Sequence, residues 1–477
     1  MDHDKQPLFV DLDGTLIRTD LFLESALRLI KHNPLSLFAM VIWLLRGRSF
    51  LKDQVAKRTN LQVETLPFET RLVDFLEDQK RHGRRVVMAT AAHHQQAKAV
   101  AAHLGLFDDV LATDVDRNLK GRIKLTAIRD YVGEGGFAYA GDSSADRPIW
   151  EAATSAVLVN APRAQVEAIK NAGKKTLVIE TRMPVWQAFL REMRPHQYAK
   201  NLLVFVPLMV SHEYQNVAML IAAVLAFLCF NLCASGVYFL NDLLDLESDR
   251  RHARKRSRPL ASGDLPLRAG LIGAVVLPLL AFALAIPFLP VMFVVILAAY
   301  LLITSTYSFF LKRVSTVDVM TLALLYTSRI AAGSAATGIA LSSWLMAFSV
   351  FLFVSLAYLK RYIEVAALDD ETGHAHGRGY SVADRETMFS LGTANITAAV
   401  LVLALYINSE EVLSLYQSPE ALWLLCLLML YWGNRIWVGA RRGLITDDPV
   451  VFAIRDKVSN AVGLGFVAVM LLARYLG

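Results

Sequence analysis

Phe9-Val10-Asp11-Leu12-Asp13-Gly14-Thr15, near the start of the chain, decides the reading of its first third. A short apolar run delivers two carboxylates to the end of a strand, and a glycine behind them lets the chain turn sharply. Open α/β sheets bind ligands at such strand ends. Asp11 is suited to attack phosphorus and form an acyl phosphate, and Asp13 to protonate the leaving oxygen and then activate water. Two negative groups facing a phosphate need a cation. The stretch Gly141-Asp142-Ser143-Ser144-Ala145-Asp146 supplies further carboxylates for Mg²⁺ at a later strand end.

Working outward, apolar runs LFVDL, RVVMAT, GFAYAGD and AVLVNA alternate with helix-like stretches such as HHQQAKAVAAHLG. That order predicts a parallel sheet with helices on both faces. A helical insert, roughly residues 20–80, separates the first two strands and contains NPLSLFAMVIWLLRGR. Its apolar run of about a dozen residues is too short to cross a bilayer. A cap helix buried in the domain is the expectation; a helix resting on a membrane surface is the alternative. His93 and His94 read as a solvated helix start rather than as metal ligands.

The motifs DLDGT, Thr90 closing VVMAT, Lys124 in GRIK, and GDSSAD follow in the order that resembles the haloacid dehalogenase (HAD) superfamily of phosphatases, over residues 8 to about 162. The resemblance implies that Asp11 is the nucleophile and Asp13 the acid/base. It implies also that Thr90 and Lys124 bind the phosphoryl group, and that Asp142 and Asp146 complete a Mg²⁺ site with Asp11 and Asp13.

The rest of the chain is of another kind. Over 477 residues, 55% are hydrophobic and only 19% charged, which points to membrane segments. Nine spans are expected, near 198–211, 217–240, 267–287, 290–310, 317–337, 343–363, 388–407, 419–438 and 450–474. No secretory signal opens the sequence, so the N-terminus is expected inside. Alternate loops then sort by charge. DRRHARKRSRPLASGD, LKRVS, KRY through DRE, and ARRG are basic, whereas SHEYQN, IPFLP, TGIALSS and NSEEVLSLYQSPE contain no Lys or Arg. This places the charged loops on the cytoplasmic side of the inner membrane. The net charge of +6 is spent at the ends of apolar segments, which argues for membrane orientation and phosphate binding and against nucleic acid. Cys229, Cys233 and Cys426 lie in apolar stretches and read as buried, inert thiols. The expected architecture is an α/β HAD-like domain over 1–180 with a small helical cap, a linker over 181–196, and an all-α nine-helix transmembrane bundle over 197–477.

At the end of the second expected span stands Asn241-Asp242-Leu243-Leu244-Asp245-Leu246-Glu247-Ser248-Asp249. Spacings of three and four put Asp242, Asp245 and Asp249 on one helix face, stacked toward the same point. Converging carboxylates repel unless a cation joins them, and Mg²⁺ bridging to a diphosphate answers that need. The neighbouring Arg250, Arg251, Lys255, Arg256 and Arg258 suit an anionic donor.

NDLLDLESDRRHARKRSRPLASG resembles the first aspartate-rich motif of the UbiA superfamily of intramembrane prenyltransferases, and the similarity runs from about residue 194 to the end. Most of that superfamily has a second aspartate-rich motif near the sixth span. Here that place reads Tyr358-Leu359-Lys360-Arg361-Tyr362-Ile363-Glu364. A Lys-Arg pair can contact phosphate oxygens itself. With KRYIE, RPHQYAKN around Lys200, Tyr307-Ser308, Lys312, Arg329 and AIRDKV, the sequence is most similar to the decaprenyl-phosphate phosphoribosyltransferases. That resemblance implies transfer of 5-phosphoribose from phosphoribosyl diphosphate to a polyprenyl monophosphate, one Mg²⁺ in each domain, and substrate contacts by Asn241, Lys255, Arg258, Tyr307, Lys312, Arg329 and Glu364. Lys200, Lys360 and Arg361 are expected to position the lipid phosphate. Fusion to a phosphatase suggests removal of the product's 5-phosphate. Two rival readings are isoprenyl transfer to an aromatic acceptor, with Asp369 and Asp370 as the acids available after Glu364, and a transporter with a regulatory soluble domain. His374 and His376 read as loop histidines.

Overall fold

The computed structural model describes residues 6–113, 119–368, 379–410, 412, 416–445 and 448–475. His374, His376, Asp369 and Asp370 lie outside them. The chain forms two compact units, Met1–Met193 with Tyr238–Ala274, and Arg194–Val237 with Val275–Gly477.

In the first unit, β1 (Leu8–Val10), β2 (Val86–His93), β3 (Asp109–Thr113), β4 (Ala138–Gly141), β5 (Ser155–Val159) and β6 (Lys175–Ile179) make one sheet in the order β3-β2-β1-β4-β5-β6. All its ladders are parallel. Side chains alternate across it. Leu8 and Val10 enter a core with Val86 and Met88, while Phe9 enters another with Tyr139 and Trp150. Both faces are therefore buried, as a parallel sheet requires. The expected sheet is present, and it gains the two edge strands that the apolar runs did not announce. DVLAT and KTLVI are partly exposed edges, so neither carries the continuous apolar run of a central strand.

The insert after β1 folds as helices Leu21–His32, Ser36–Leu45 and Arg48–Arg58. The expectation of a buried helix at Ser36–Leu45 is corrected: Phe38 is 69%, Ile42 57% and Leu45 84% exposed. Apolar residues occupy every side of this short helix, and a single contact face cannot cover them.

Residues Tyr238–Ala274 pack onto the same unit. Phe239 meets Phe189 with centroids 4.8 Å apart, and Glu192 accepts from the Leu260 N–H at 3.3 Å. Arg250 grips Glu24 through both guanidinium nitrogens at 2.5 and 3.0 Å. Both partners are largely buried, so this pair replaces two hydration shells with two charge-assisted bonds.

In the second unit, helices are long and apolar. Eight helices among the described residues are long and apolar enough to cross a membrane. They are Val217–Leu244, Leu267–Phe288, Val291–Phe309, Val317–Thr337, Ser343–Ala366, Arg385–Ile407, Trp423–Arg441 and Lys457–Tyr475, the first two shared with the first unit. The ninth expected span differs in form. Residues 198–211 belong to a 3₁₀ run, Pro195–Phe205, followed by a short α-helix, Val206–Val210. Close packing gives one physical reason for the irregular winding: a Cβ at Gly333 would overlap the Val204 carbonyl, so that helix holds the segment backbone against backbone. Ser355 donates to the Gly392 carbonyl at 2.7 Å and accepts from the Trp437 indole at 3.1 Å, which satisfies these buried polar groups.

Candidate active sites

In the first unit, β1 and β4 end side by side and bring Asp11, Asp142 and Asp146 together. One ligand oxygen from each lies within 4.8 Å of the others. Asp13 is not part of that group; its carboxylate accepts from the Leu21 N–H at 3.0 Å. Gly14, at φ +79°, supplies the turn, and a Cβ there would overlap the Asp142 carboxylate. Lys124 reaches in from the helix Arg122–Val132, with Nζ 2.7 Å from Asp11 and 3.6 Å from Asp146. It also donates to the Tyr139 hydroxyl at 2.9 Å, which donates to Asp146 at 2.7 Å. Thr90 is buried at this strand end, its Oγ1 accepting from the Ala92 N–H at 3.0 Å.

The electrostatics call for more positive charge than Lys124 brings. Burial pushes the Asp142 carboxyl up to about 7, and Asp11 and Asp146 add to that rise. Burial likewise pushes Asp13 up to about 8, with Asp20 adding. An Asp13 that keeps its proton near neutrality can donate it to a leaving oxygen. The oxygen-only donor set of Asp11, Asp142 and Asp146 fits Mg²⁺. The expected solvated start at His93 and His94 is corrected in part. His93 does cap the helix His94–Leu104, but it is buried, with Nε2 3.4 Å from Asp53 of the cap.

At the aspartate-rich motif the single helix face is corrected. Val217–Leu244 ends before Asp245, and a new helix, Leu246–Arg251, begins after it. The break separates charges that would otherwise crowd one face. Asp242 and Asp249, both buried, meet around Arg258 at 3.1 and 2.5 Å. Lys255 stands 3.9 Å from Asp249. Asp245 turns instead to Lys31, 2.8 Å away. Burial raises the Asp249 carboxyl, Arg258 opposes the rise, and Asp242 adds to it. Asn241 beside them has a buried Oδ1 without a partner. Two buried carboxylates meeting at one point fit a hard cation.

In the second unit, Lys200 and Lys360 converge on one carboxylate, Asp448, at 2.8 and 3.1 Å. Lys200 also lies over the Tyr326 ring at 5.8 Å. Burial raises the Asp448 carboxyl, but Lys360 and Lys200 outweigh that and hold it well below the usual range. Arg329 donates to Asn201 at 2.6 Å and to the Tyr300 hydroxyl at 3.3 Å, and it bonds the Leu325 carbonyl. The open phosphate contact expected of Arg361 is corrected. It is fully buried, bonded to Asp318 at 2.5 Å, to the Tyr307 hydroxyl at 3.0 Å and to Glu364, so it holds the framework. Tyr307 in turn donates to Asp318 at 2.6 Å. Lys312 lies in the short turn Leu311–Arg313. Asp448 escaped the sequence reading; the signal available was its position before Pro449, where its side chain caps a helix by accepting from Val450.

Residues 202–452 match the UbiA prenyltransferase family, and residues 8–151 match the haloacid dehalogenase-like hydrolases. The chain belongs to the UbiA prenyltransferase family; it is a multi-pass membrane protein with an N-terminal HAD-like domain. Among its relatives, the uncharacterized protein y4nM of Sinorhizobium fredii is 36% identical over 98% of this chain and 91% of its own length. Nodulation protein NoeC of Azorhizobium caulinodans is 33% identical over 61% of this chain and 94% of its own. Decaprenyl-phosphate phosphoribosyltransferase of Mycobacterium tuberculosis is 29% identical over 58% of this chain and 91% of its own.

Proposed function

We propose that this chain transfers 5-phosphoribose from phosphoribosyl diphosphate to a polyprenyl monophosphate, and that its HAD-like domain removes the 5-phosphate of the lipid-linked product. The observation that carries the reading is the pair Lys200 and Lys360 on the single carboxylate of Asp448. Among the described residues cations exceed acids there, which suits an anionic acceptor rather than a neutral aromatic one. The relative named decaprenyl-phosphate phosphoribosyltransferase supports the same substrates.

In the transfer, a lipid phosphate oxygen attacks the anomeric carbon, the carbon–oxygen bond to the diphosphate breaks, and pyrophosphate leaves with the bonding pair. Positive character grows on the ribose and negative charge on the diphosphate. Asp242 and Asp249, released from Arg258, would hold Mg²⁺, which would supply positive charge for the departing diphosphate. Lys200 and Lys360 fix the acceptor, which is already ionised and needs little general base. In the hydrolase, Asp11 attacks phosphorus as the bond from phosphorus to the ribose oxygen breaks, and Asp13 protonates that oxygen and then activates the water that hydrolyses the acyl phosphate and releases phosphate; Thr90 and Lys124 hold the phosphoryl oxygens, and Asp11, Asp142 and Asp146 would hold Mg²⁺.

The reading divides the chain into a hydrolase at 1–180, a linker at 181–196 and a transferase at 197–477. Both sites face the cytoplasm across the inner membrane. The segment over residues 195–210 is the ninth crossing: at about 2 Å per 3₁₀ residue and 1.5 Å per α residue it reaches roughly 30 Å, the thickness of a hydrocarbon core. The test is to incubate membranes with labelled phosphoribosyl diphosphate and polyprenyl phosphate, and separately with labelled isoprenyl diphosphate and 4-hydroxybenzoate. Label enters lipid in the first mixture. Lipid label in the second alone overturns the reading in favour of isoprenyl transfer.

A further inference from the structure

The cavity that holds Asp11 measures about 770 Å³, a size that takes a whole small molecule rather than a phosphoryl group alone. Two of its cations are already held by carboxylates, Lys124 by Asp11 and Asp146 and Arg18 by Glu69 and Asp264; Arg182 donates to the Gly14 carbonyl at 3.1 Å and keeps a buried Nε without a partner. Lys52, Lys120 and Arg268 line the same cavity and are differently placed. Lys52 is half-buried and donates to the Ala91 carbonyl at 2.8 Å. Arg268 is 75% exposed and touches Asp20 only at 3.5 Å, and Lys120 has no carboxylate within ion-pair distance among the described residues.

We propose that Lys52, Lys120 and Arg268 form a second anion subsite, so that the hydrolase acts on a phosphomonoester bearing a further phosphate or phosphodiester group. The inference rests on the phosphatase reading and names its substrate class. These cations are close enough to act on one another. Burial draws the Lys52 ammonium below its ordinary value; Asp13 and Asp20 oppose this, while Lys120 and Arg268 add to it. Gathered like charges are relieved by a bound anion. Arg268 stands in the first turn of Leu267–Phe288, where unpaired backbone N–H groups favour the same charge. Depth orders the two subsites: Lys124 is 3% exposed at the floor, whereas Arg268 stands at the mouth. One phosphate is cleaved at the floor while the other anchors at the rim.

The test compares ribose 1,5-bisphosphate with ribose 5-phosphate as substrates of the full chain with Mg²⁺. The wild type is expected to give a kcat/KM at least tenfold higher for the bisphosphate, and the double variant Lys120→Ala/Arg268→Ala to lose that preference. Binding of the same two compounds to Asp11→Asn is measured in parallel, with and without the double substitution. Equal kcat/KM for both compounds in the wild type overturns the subsite and leaves the phosphatase standing. If neither is cleaved, yet Asp11→Asn prefers the bisphosphate and the double substitution removes the preference, the phosphatase reading falls and the subsite stands. If neither is cleaved and no binding preference exists, both fall.

Discussion

Two lysine–aspartate clusters in this protein are built with opposite imbalance. In the first unit one lysine, Lys124, serves three carboxylates, Asp11, Asp142 and Asp146. In the second unit two lysines, Lys200 and Lys360, share one carboxylate, Asp448. Among the described residues the first is short of positive charge and the second of negative. A buried cluster that is not neutral by itself is relieved by what it binds, so the sign of the shortfall names the ligand. Under the proposed function a divalent cation completes the first, and a lipid phosphate the second. The aspartate-rich motif stands between these cases, because Arg258 already neutralises part of Asp242 and Asp249 and must be displaced before a metal takes its place.

Removing one charge at each site should have the largest effect. Asp11→Asn is expected to lower phosphate release by about 10³-fold or more while pyrophosphate release continues, and Asp242→Asn to lower pyrophosphate release as far while phosphate release from supplied lipid-linked phosphoribose continues. Loss of both activities in both variants would mean that one chemistry, not two, resides here. Next in size, Lys360→Met should raise the KM for polyprenyl phosphate by about tenfold or more with a smaller change in kcat, since the lysine is asked only to position an anion. A change confined to kcat would remove Lys360 from the acceptor site. Smaller still, Arg258→Ala exposes two carboxylates to each other. Its thermal midpoint should fall without Mg²⁺ and recover with it by several degrees more than the wild type gains. Equal Mg²⁺ response in both would separate Asp242 and Asp249 from metal binding.

What was legible in the sequence was what local chain order builds. Asp11 and the Asp142–Asp146 pair sit at strand ends inside contiguous motifs, and neighbouring parallel strands bring such ends together whatever lies between. Partners supplied from far along the chain were not legible. Asp448 meets Lys200 across 248 positions, and Lys31 meets Asp245 across 214. Neither carries a motif, because an ion pair needs only opposite charge at one point in space. The exposure of Ser36–Leu45, against the expected buried cap helix, has a related reason: apolar composition calls for a nonpolar neighbour but does not identify it. In a chain that crosses membranes, lipid is the neighbour always at hand. A fluorophore at Phe38 should therefore be quenched by lipid-borne quenchers, and one at exposed Arg81 should not.

The smallest expected effect tests whether the second unit's framework obeys the same charge rule as its site. Asp456 accepts from Arg435 at 2.7 and 3.0 Å and from the Ser459 N–H and hydroxyl at 2.8 Å each, which fastens the start of Lys457–Tyr475. The Arg435 contacts, helped by Ser459 and opposed by burial, bring its carboxyl down to about 2. A lowered folded value means that ionised Asp456 stabilises the fold above its unfolded value of about 4, and that this contribution is lost as pH falls from about 4 toward 2. Asp456→Asn removes the charge but keeps a capping oxygen, so it should cost about 1 kcal/mol at neutral pH and flatten the acid slope of the thermal midpoint. Unlike the Lys200–Asp448–Lys360 group, this pair is balanced and needs no ligand. Adding polyprenyl phosphate should leave the Asp456→Asn deficit unchanged, whereas the same lipid should reverse much of the loss in Asp448→Asn, where the two lysines are left facing each other.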